Sequence, residues 1–138
     1  MPKEIVNPPQ LPPPRGYNHG IVGSGGRILF LAGQDASDGD GSIVAPGNLL
    51  AQFEQVLRNV EAVVEAAGGT MHDVVKLNIF VSDRDAYVTN LRELGRIFRR
   101  YFGDHYPAMA LFEVSAFFRD ENLIEMEGMA YLEGPDGS

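Results

Sequence analysis

Two carboxylates, Glu125 and Glu127, stand two residues apart in the segment LIEMEGMAYL (123–132). The even positions of this segment are all apolar or small, which predicts a strand that packs this face on helices. The odd positions carry the two glutamates together with three apolar or aromatic residues. A half-apolar face is unusual for a strand face left in water, so we expect this second face to be covered as well.

A carboxylate on a covered face can do acid–base chemistry. Loss of hydration raises the pKa of a carboxyl group, and a pKa nearer neutrality allows the group to exchange protons with a substrate. Glu125 is therefore a candidate catalytic residue. The alternative is a structural glutamate that hydrogen-bonds to a neighbouring chain across an interface, since perturbed carboxylates are structural as well as catalytic.

Other chemistry-bearing motifs are missing from the sequence. There is no zinc-protease motif, no P-loop, no nucleophile-elbow serine motif and no cysteine, and the three histidines show no metal-ligand spacing. The segment DASDGDGSIV resembles a calcium loop, but Ile43 replaces the glycine that such a loop requires at its sixth position. We therefore expect no metal site.

Charge and composition narrow the class of protein. The chain of 138 residues fits one domain, and its formal net charge of −8 argues against a nucleic-acid partner. The arginines at 92, 96, 99 and 100 form a stripe that reads as a solvated helix face. Without cysteines, and without an apolar run suited to a signal peptide or a membrane span, a cytoplasmic location with no membrane partner is expected.

The apolar patterns predict the elements that position Glu125. They indicate strands at 27–33, 74–82, 109–118 and 122–132, and helices at 48–67 and from Ser82 to about Phe102. Ser82 and Asp85 suggest a capping box for the second helix, with Val88 and Leu91 facing inward. This is an α+β domain with two helices on one sheet face. Two helices cannot cover both faces, so a second copy of the sheet is the simplest cover.

The N-terminus is a separate region. Residues 1–16 form a proline-rich arm, in which NPPQLPPP can be neither helix nor central strand. This arm is either a polyproline II ligand for a partner domain or an extended segment lying on its own domain. The domain proper is expected at 17–132, and residues 133–138 are expected to form a short tail.

Five stretches resemble the RidA family, also called the YjgF or endoribonuclease L-PSP family. The resemblance covers about 17–132, and its carriers are RILFLAGQ, QFEQVLRNVEAVVEAAGGTMHDVVKLNIFVSD, YVTN, YFGDHYPA and IEMEGMA. It implies a chorismate-mutase-like fold and a homotrimer whose sheets line a central barrel. It also implies cofactor-independent hydrolysis of reactive enamines or imines in clefts between subunits.

The resemblance also implies site residues. Glu125 matches the glutamate that positions water, Tyr17 the conserved tyrosine and Asn90 the helix asparagine. Gly33, with Ala32 in place of the family's serine, matches the strand end whose backbone lines the cleft. Met109 stands where the family's carboxylate-binding arginine follows Pro-Ala. A methionine offers no charged hydrogen bond, so the substrate preference is expected to differ.

Three functions remain open at this point. The first is a hydrolase of the same type whose substrate places an apolar group, or no carboxylate, at Met109. The second is a non-catalytic trimer that binds a small metabolite as a sensor or partner protein. The third is RNA cleavage, against which the acidic charge and the lack of a histidine–lysine catalytic set argue.

Overall fold

The computed structural model describes residues 3–133. Within these residues six strands and three α-helices follow one another: β1 (Lys3–Val6), β2 (Gly20–Gly23), β3 (Arg27–Gln34), α1 (Leu49–Ala66), β4 (Val74–Val81), α2 (Arg84–Thr89), α3 (Leu91–Phe102), β5 (Ala108–Glu113) and β6 (Ile124–Leu132). The main sheet has the strand order β3-β6-β4-β5, in which only β4 and β5 are parallel. The α+β fold with a mixed sheet is therefore confirmed, with three helices rather than two.

Helix α1 packs against β3, β6 and α3 and supplies much of the core. Asn48 caps its first turn by accepting a hydrogen bond from the Ala51 amide at 3.0 Å. Past its C-terminus, Gly68 has a φ of 91°, a backbone conformation that glycine adopts without a Cβ clash. The predicted helix at 48–67 is thus confirmed to within a residue at each end.

The predicted second helix is wrong in its start and its continuity. Asp83, not Ser82, caps α2, because its carboxylate accepts the Ala86 amide at 3.1 Å. Asn90 then separates α2 from α3, and its side chain competes with the helix by donating to the Ala86 carbonyl at 2.8 Å. The interruption changes the helix phase, so Val88 and Leu91 are 58% and 56% exposed instead of facing inward.

The faces of the main sheet follow the predicted alternation. On β6 the even positions Ile124, Met126, Ala130 and Leu132 are buried under the helices. Much of the opposite face of the sheet is exposed although it is rich in large apolar side chains, and Tyr131 on that face is buried. The exposed side chains are Ile28, Phe30, Phe112 and Met129, with Phe30 at 73% exposure. Strand β5 is shorter than predicted, since it ends at Glu113 rather than at 118.

A buried glutamine joins the loops that precede β6. The Gln52 side chain donates to the carbonyls of Val44, Ala45 and Glu121 and accepts the Leu123 amide at 2.8 Å. An amide fully used in this way satisfies backbone groups that burial would otherwise leave without partners. These bonds fix the start of the strand that carries Glu125.

The proline-rich arm lies on its own domain. Strand β1 pairs antiparallel with β2, and residues 7–14 adopt neither helix nor strand. The Asn7 side chain donates to the Asn18 side chain at 2.8 Å and accepts the His19 amide at the same distance. The arm therefore braces the segment around Tyr17. Of the predicted tail, all but Glu133 falls outside the described residues.

Candidate functional site

Glu125 lies half-buried on the open face of the sheet, against the end of β3. Leu31 pairs with Gly128 and Gln34 with Met126, so Ala32 and Gly33 form a bulge opposite one residue of β6. A Cβ placed on Gly33 would overlap the Glu125 carboxylate. The bulge and the missing side chain together make room for this carboxylate. We call Glu125, Gly33 and Ala32 the glutamate half-site.

The surroundings of Glu125 favour its protonated form. Partial burial, and then the negative charges of Asp35 and Glu127, raise the pKa of its carboxyl group. Asp35 is held in place by Asn122, whose side chain donates to it at 3.0 Å. Sequence reasoning missed Asp35 because its proximity depends on the pairing of β3 with β6. A raised pKa is the property expected of a general acid or base.

Tyr17 and Met109 line a common cavity of about 200 Å³ with Tyr87. Tyr17 is held beside β5 by its neighbour Asn18, which donates from its amide to the Pro107 carbonyl at 2.9 Å. The Asn18 side chain also donates to the Tyr106 carbonyl at 2.6 Å. We call Tyr17, Tyr87 and Met109 the tyrosine half-site.

Tyr87 is a site residue that sequence reasoning missed. Its ring packs edge-on against Phe53 with the centroids 6.3 Å apart, and burial raises the pKa of its hydroxyl to about 12. The hydroxyl group therefore stays neutral, and the residue forms part of the cavity wall. Its place within YVTN gave no sign of this, since its burial follows from the break between α2 and α3.

A second cavity of about 320 Å³ adjoins the tyrosine half-site. Met109 and Tyr87 belong to both cavities. The remaining wall comes from the arm, α1, α3 and the segment before β5; it consists of Arg15, Gly16, Phe53, Leu91, Leu94, Gly95, Phe98, Arg99 and Tyr106. Met109 thus lines two adjoining, partly open cavities whose walls are mainly apolar and aromatic.

Asn90 joins neither half-site. It lines a different cavity of about 540 Å³, together with Asn48, Asp83 and Leu123 among others. Its side-chain amide is engaged by the Ala86 carbonyl at the break between α2 and α3. Asn90 therefore helps to shape the end of α2, the helix that carries Tyr87, and lines a cavity separate from both half-sites.

The two half-sites lie on opposite faces of the sheet. Met109 pairs with Leu77 of β4, which is buried on the helix-covered face, whereas Glu125 pairs with Phe80 on the open face. A single chain thus provides a carboxyl group with a raised pKa on one face and a largely apolar, tyrosine-lined cavity on the other. Within residues 3–133 no group of three or more metal-ligating side chains could hold a metal ion. No helix in the same range could span a membrane.

Comparisons with known proteins agree on one family. A sequence model of the family described as endoribonuclease L-PSP matches residues 9–132. A RutC family protein of Pyrococcus horikoshii is 34% identical, over 95% of this chain and 99% of its own. The crystal structure of YyfB from Yersinia pestis, a protein of the conserved Rid family, has a TM-score of 0.85 at 36% identity, covering 96% of this chain and all of that one. The YjgF structure from E. coli has a TM-score of 0.64 at 31% identity, with 83% and 87% covered.

Proposed function

Because this chain belongs to the RidA family of endoribonuclease L-PSP proteins, we propose that it is a cofactor-independent hydrolase of a reactive enamine or imine metabolite. The observation that carries the proposal is the Glu125 carboxyl group. Its raised pKa and its seat against Gly33 suit a group that orients water and moves a proton. We place this activity in the cytoplasm.

The proposed active unit is a homotrimer. The half-apolar face of β6 predicts that another part of a protein packs on this side of the sheet. In the fold, the same side of the sheet exposes Phe30 of β3 and Phe112 of β5. An exposed apolar face of this kind favours contact with another sheet. Closure of three such sheets around a barrel would place the glutamate half-site of one subunit beside the tyrosine half-site of its neighbour. The substrate cleft would then lie between subunits.

The reaction proposed for this cleft is the addition of water to a carbon–nitrogen double bond. An enamine on carbon, or an imine on nitrogen, first takes a proton from solvent and becomes the iminium ion. Glu125 as carboxylate then takes a proton from water while the water oxygen bonds to the iminium carbon and the π electrons move to nitrogen, which gives a neutral carbinolamine. Glu125 returns its proton to this nitrogen, the hydroxyl proton passes to solvent, and the carbon–nitrogen bond breaks as the carbonyl group forms and ammonia leaves. The products are one carbonyl compound and one ammonia.

The other residues have supporting roles in this proposal. The Tyr17 hydroxyl holds the water or the substrate nitrogen, and the Gly33 backbone lines the cleft beside Glu125. Met109 accepts an apolar part of the substrate, because a thioether cannot pair with a carboxylate. A substrate with a carboxylate directed at position 109 is therefore a poor one for this chain.

The test is a competition between hydrolysis and trapping. An amino-acid oxidase generates 2-imino acids from a series of amino acids, semicarbazide traps what remains, and the protein is added in increasing amounts. We expect less trapped product with imines bearing large apolar side groups, and little effect with 2-aminoacrylate. Equal trapping with and without protein across the series would contradict the hydrolase proposal.

A non-catalytic metabolite-binding trimer is the second candidate. Met109 favours it, since the position that would carry a fixed cation for the substrate carries an apolar side chain instead. Under this alternative small ligands would bind to the trimer without being consumed, and the Glu125→Gln variant would bind them as the wild type does.

A further inference from the structure

The cavity of about 320 Å³ beside Met109 combines aromatic walls with two arginines. We call it the arginine-rimmed cavity. Its rings come from α1, α2, α3 and the segment before β5, namely Phe53, Tyr87, Phe98 and Tyr106. Its volume lies at the small end of the range of roughly 300–1,000 Å³ that is typical of ligand pockets, which suits a single ring or a branched chain.

Arg15 and Arg99 are exposed residues that line this cavity, and neither side chain makes an ion pair or a hydrogen bond to any residue in 3–133. The other arginines around α3 behave differently: Arg96 pairs with Glu93 at 2.9 Å and Arg100 with Glu54 at 2.8 Å. The lining of the cavity includes no carboxylate, although the chain carries a net charge of −8. The rim is therefore a local positive site on an acidic protein, which attracts anions.

The position of Arg99 is tied to the cavity by Gly95, one helical turn earlier. A Cβ on Gly95 would lie 3.3 Å from a terminal nitrogen of the Arg99 guanidinium, so this side chain folds back over the glycine. Gly95 itself lines the cavity. Arg15 approaches from the arm, immediately before Gly16, whose φ is 76°. Two arginines from separate elements of the chain thus line the same cavity.

We propose that this cavity binds a small organic acid with an aromatic or branched apolar body. The apolar body packs against Met109 and the surrounding rings, and the carboxylate pairs with Arg15 and Arg99 at the rim. This inference rests on the proposed function, because it names the substrate class of the proposed hydrolase. The substrates would be imines of apolar acids, with the carboxylate held by the two arginines rather than at position 109. Arginine is suited to this because its planar donors match a carboxylate.

The experiment measures binding, apart from catalysis, by calorimetry on the full-length protein. The probe is 3-phenylpropionate, which has no reactive carbonyl or imine, and 3-phenylpropanamide serves as its uncharged analogue. We expect the acid to bind more tightly than the amide. The double variant Arg15→Gln with Arg99→Gln should weaken the binding of the acid about tenfold, as two solvent-accessible ion pairs allow, and leave the amide unchanged.

Arg92→Gln is the matched control, because it removes one positive charge from α3 at a position that does not line the cavity. It should leave both affinities unchanged. The proposal is overturned if acid and amide bind equally, if neither binds at millimolar concentration, or if the double variant binds the acid as the wild type does.

Binding and hydrolysis measured together distinguish a failure of this inference from a failure of the proposed hydrolase activity. Arginine-dependent binding without hydrolysis of any imine would keep the cavity as a ligand site and contradict the hydrolase. Hydrolysis of apolar imines that is indifferent to the loss of both arginines would support the hydrolase and contradict the rim as its carboxylate site.

Discussion

Met109 and Glu125 flank the central strand β4 from either side and point to opposite faces of the sheet. Met109 is in register with Leu77 and Glu125 with Phe80, three residues apart on that strand. Because successive side chains on a strand alternate between faces, an odd separation places the two on different sides. A cleft that contains both therefore requires a second chain, and this requirement motivates the first prediction.

Phe30→Glu should disrupt the proposed trimer and its turnover together. The side chain is 73% exposed on the open apolar face, so a carboxylate there would be buried by assembly without a partner. Sedimentation velocity should show a wild-type species of three 15.1 kDa chains and a smaller species for the variant. Phe118→Glu is the control, because Phe118 is fully exposed outside the strands and should not affect assembly. A monomeric wild type at micromolar concentration would refute the trimer.

The sequence predicted the fold better than it predicted the helix break. The alternation of β6 identified its buried face because burial on one side leaves a period of two, and Ile124, Met126 and Ala130 are buried as expected. The apolar pattern between Ser82 and Phe102 predicted one continuous helix. Asn90 interrupts this helix, because its side chain donates a hydrogen bond to the Ala86 carbonyl.

Only part of the candidate site could be predicted from the sequence, because some of its residues come together only in the folded chain. Glu125 could be chosen from its place on a half-apolar strand face, and its raised pKa agrees with that choice. Asp35 and Tyr87 could not be chosen, because their proximity to the half-sites arises from strand register and helix packing between segments distant in the chain. No local pattern records such contacts.

Gly33→Ala should lower turnover strongly while the protein still folds. The added methyl group would overlap the Glu125 carboxylate and push it out of the bulge, although the flexible side chain can move without unfolding the strand. We expect a loss of about a hundredfold in kcat, as for a misplaced catalytic group. Gly39→Ala is the matched control, since a Cβ there meets nothing within 4 Å. Undiminished activity in Gly33→Ala would remove the glutamate half-site from the mechanism.

Met109→Arg should raise activity on 2-aminoacrylate and weaken the binding of apolar acids. A guanidinium in the tyrosine half-site can pair with a carboxylate, so activity on 2-aminoacrylate should rise. The same side chain would fill and charge the apolar space of the arginine-rimmed cavity, so binding of 3-phenylpropionate should fall. Met109→Leu keeps an apolar group of similar size and should do neither. Wild-type turnover of 2-aminoacrylate that matches the Met109→Arg variant would show that position 109 does not select the substrate.

Glu125→Gln should lose activity and gain stability at neutral pH. Burial, Asp35 and Glu127 raise the pKa of Glu125 in the folded protein, so the native state holds this proton more tightly than the unfolded chain does. The contribution to stability is therefore present below the ordinary carboxyl pKa and is lost as the pH rises through the raised one. A neutral glutamine avoids this loss.

Denaturant unfolding of the wild type and of Glu125→Gln, measured at about pH 4 and pH 7, tests the direction of this change in stability with pH. The variant should exceed the wild type in stability at pH 7, and the difference should shrink at pH 4, where the wild-type carboxyl group is also protonated.

Turnover should be abolished in Glu125→Gln with the trimer intact, whereas Glu127→Gln, at a more exposed carboxylate, should have a smaller effect. If Glu125 instead served only to hold an interface together, Glu125→Gln would lose trimer stability and activity in parallel.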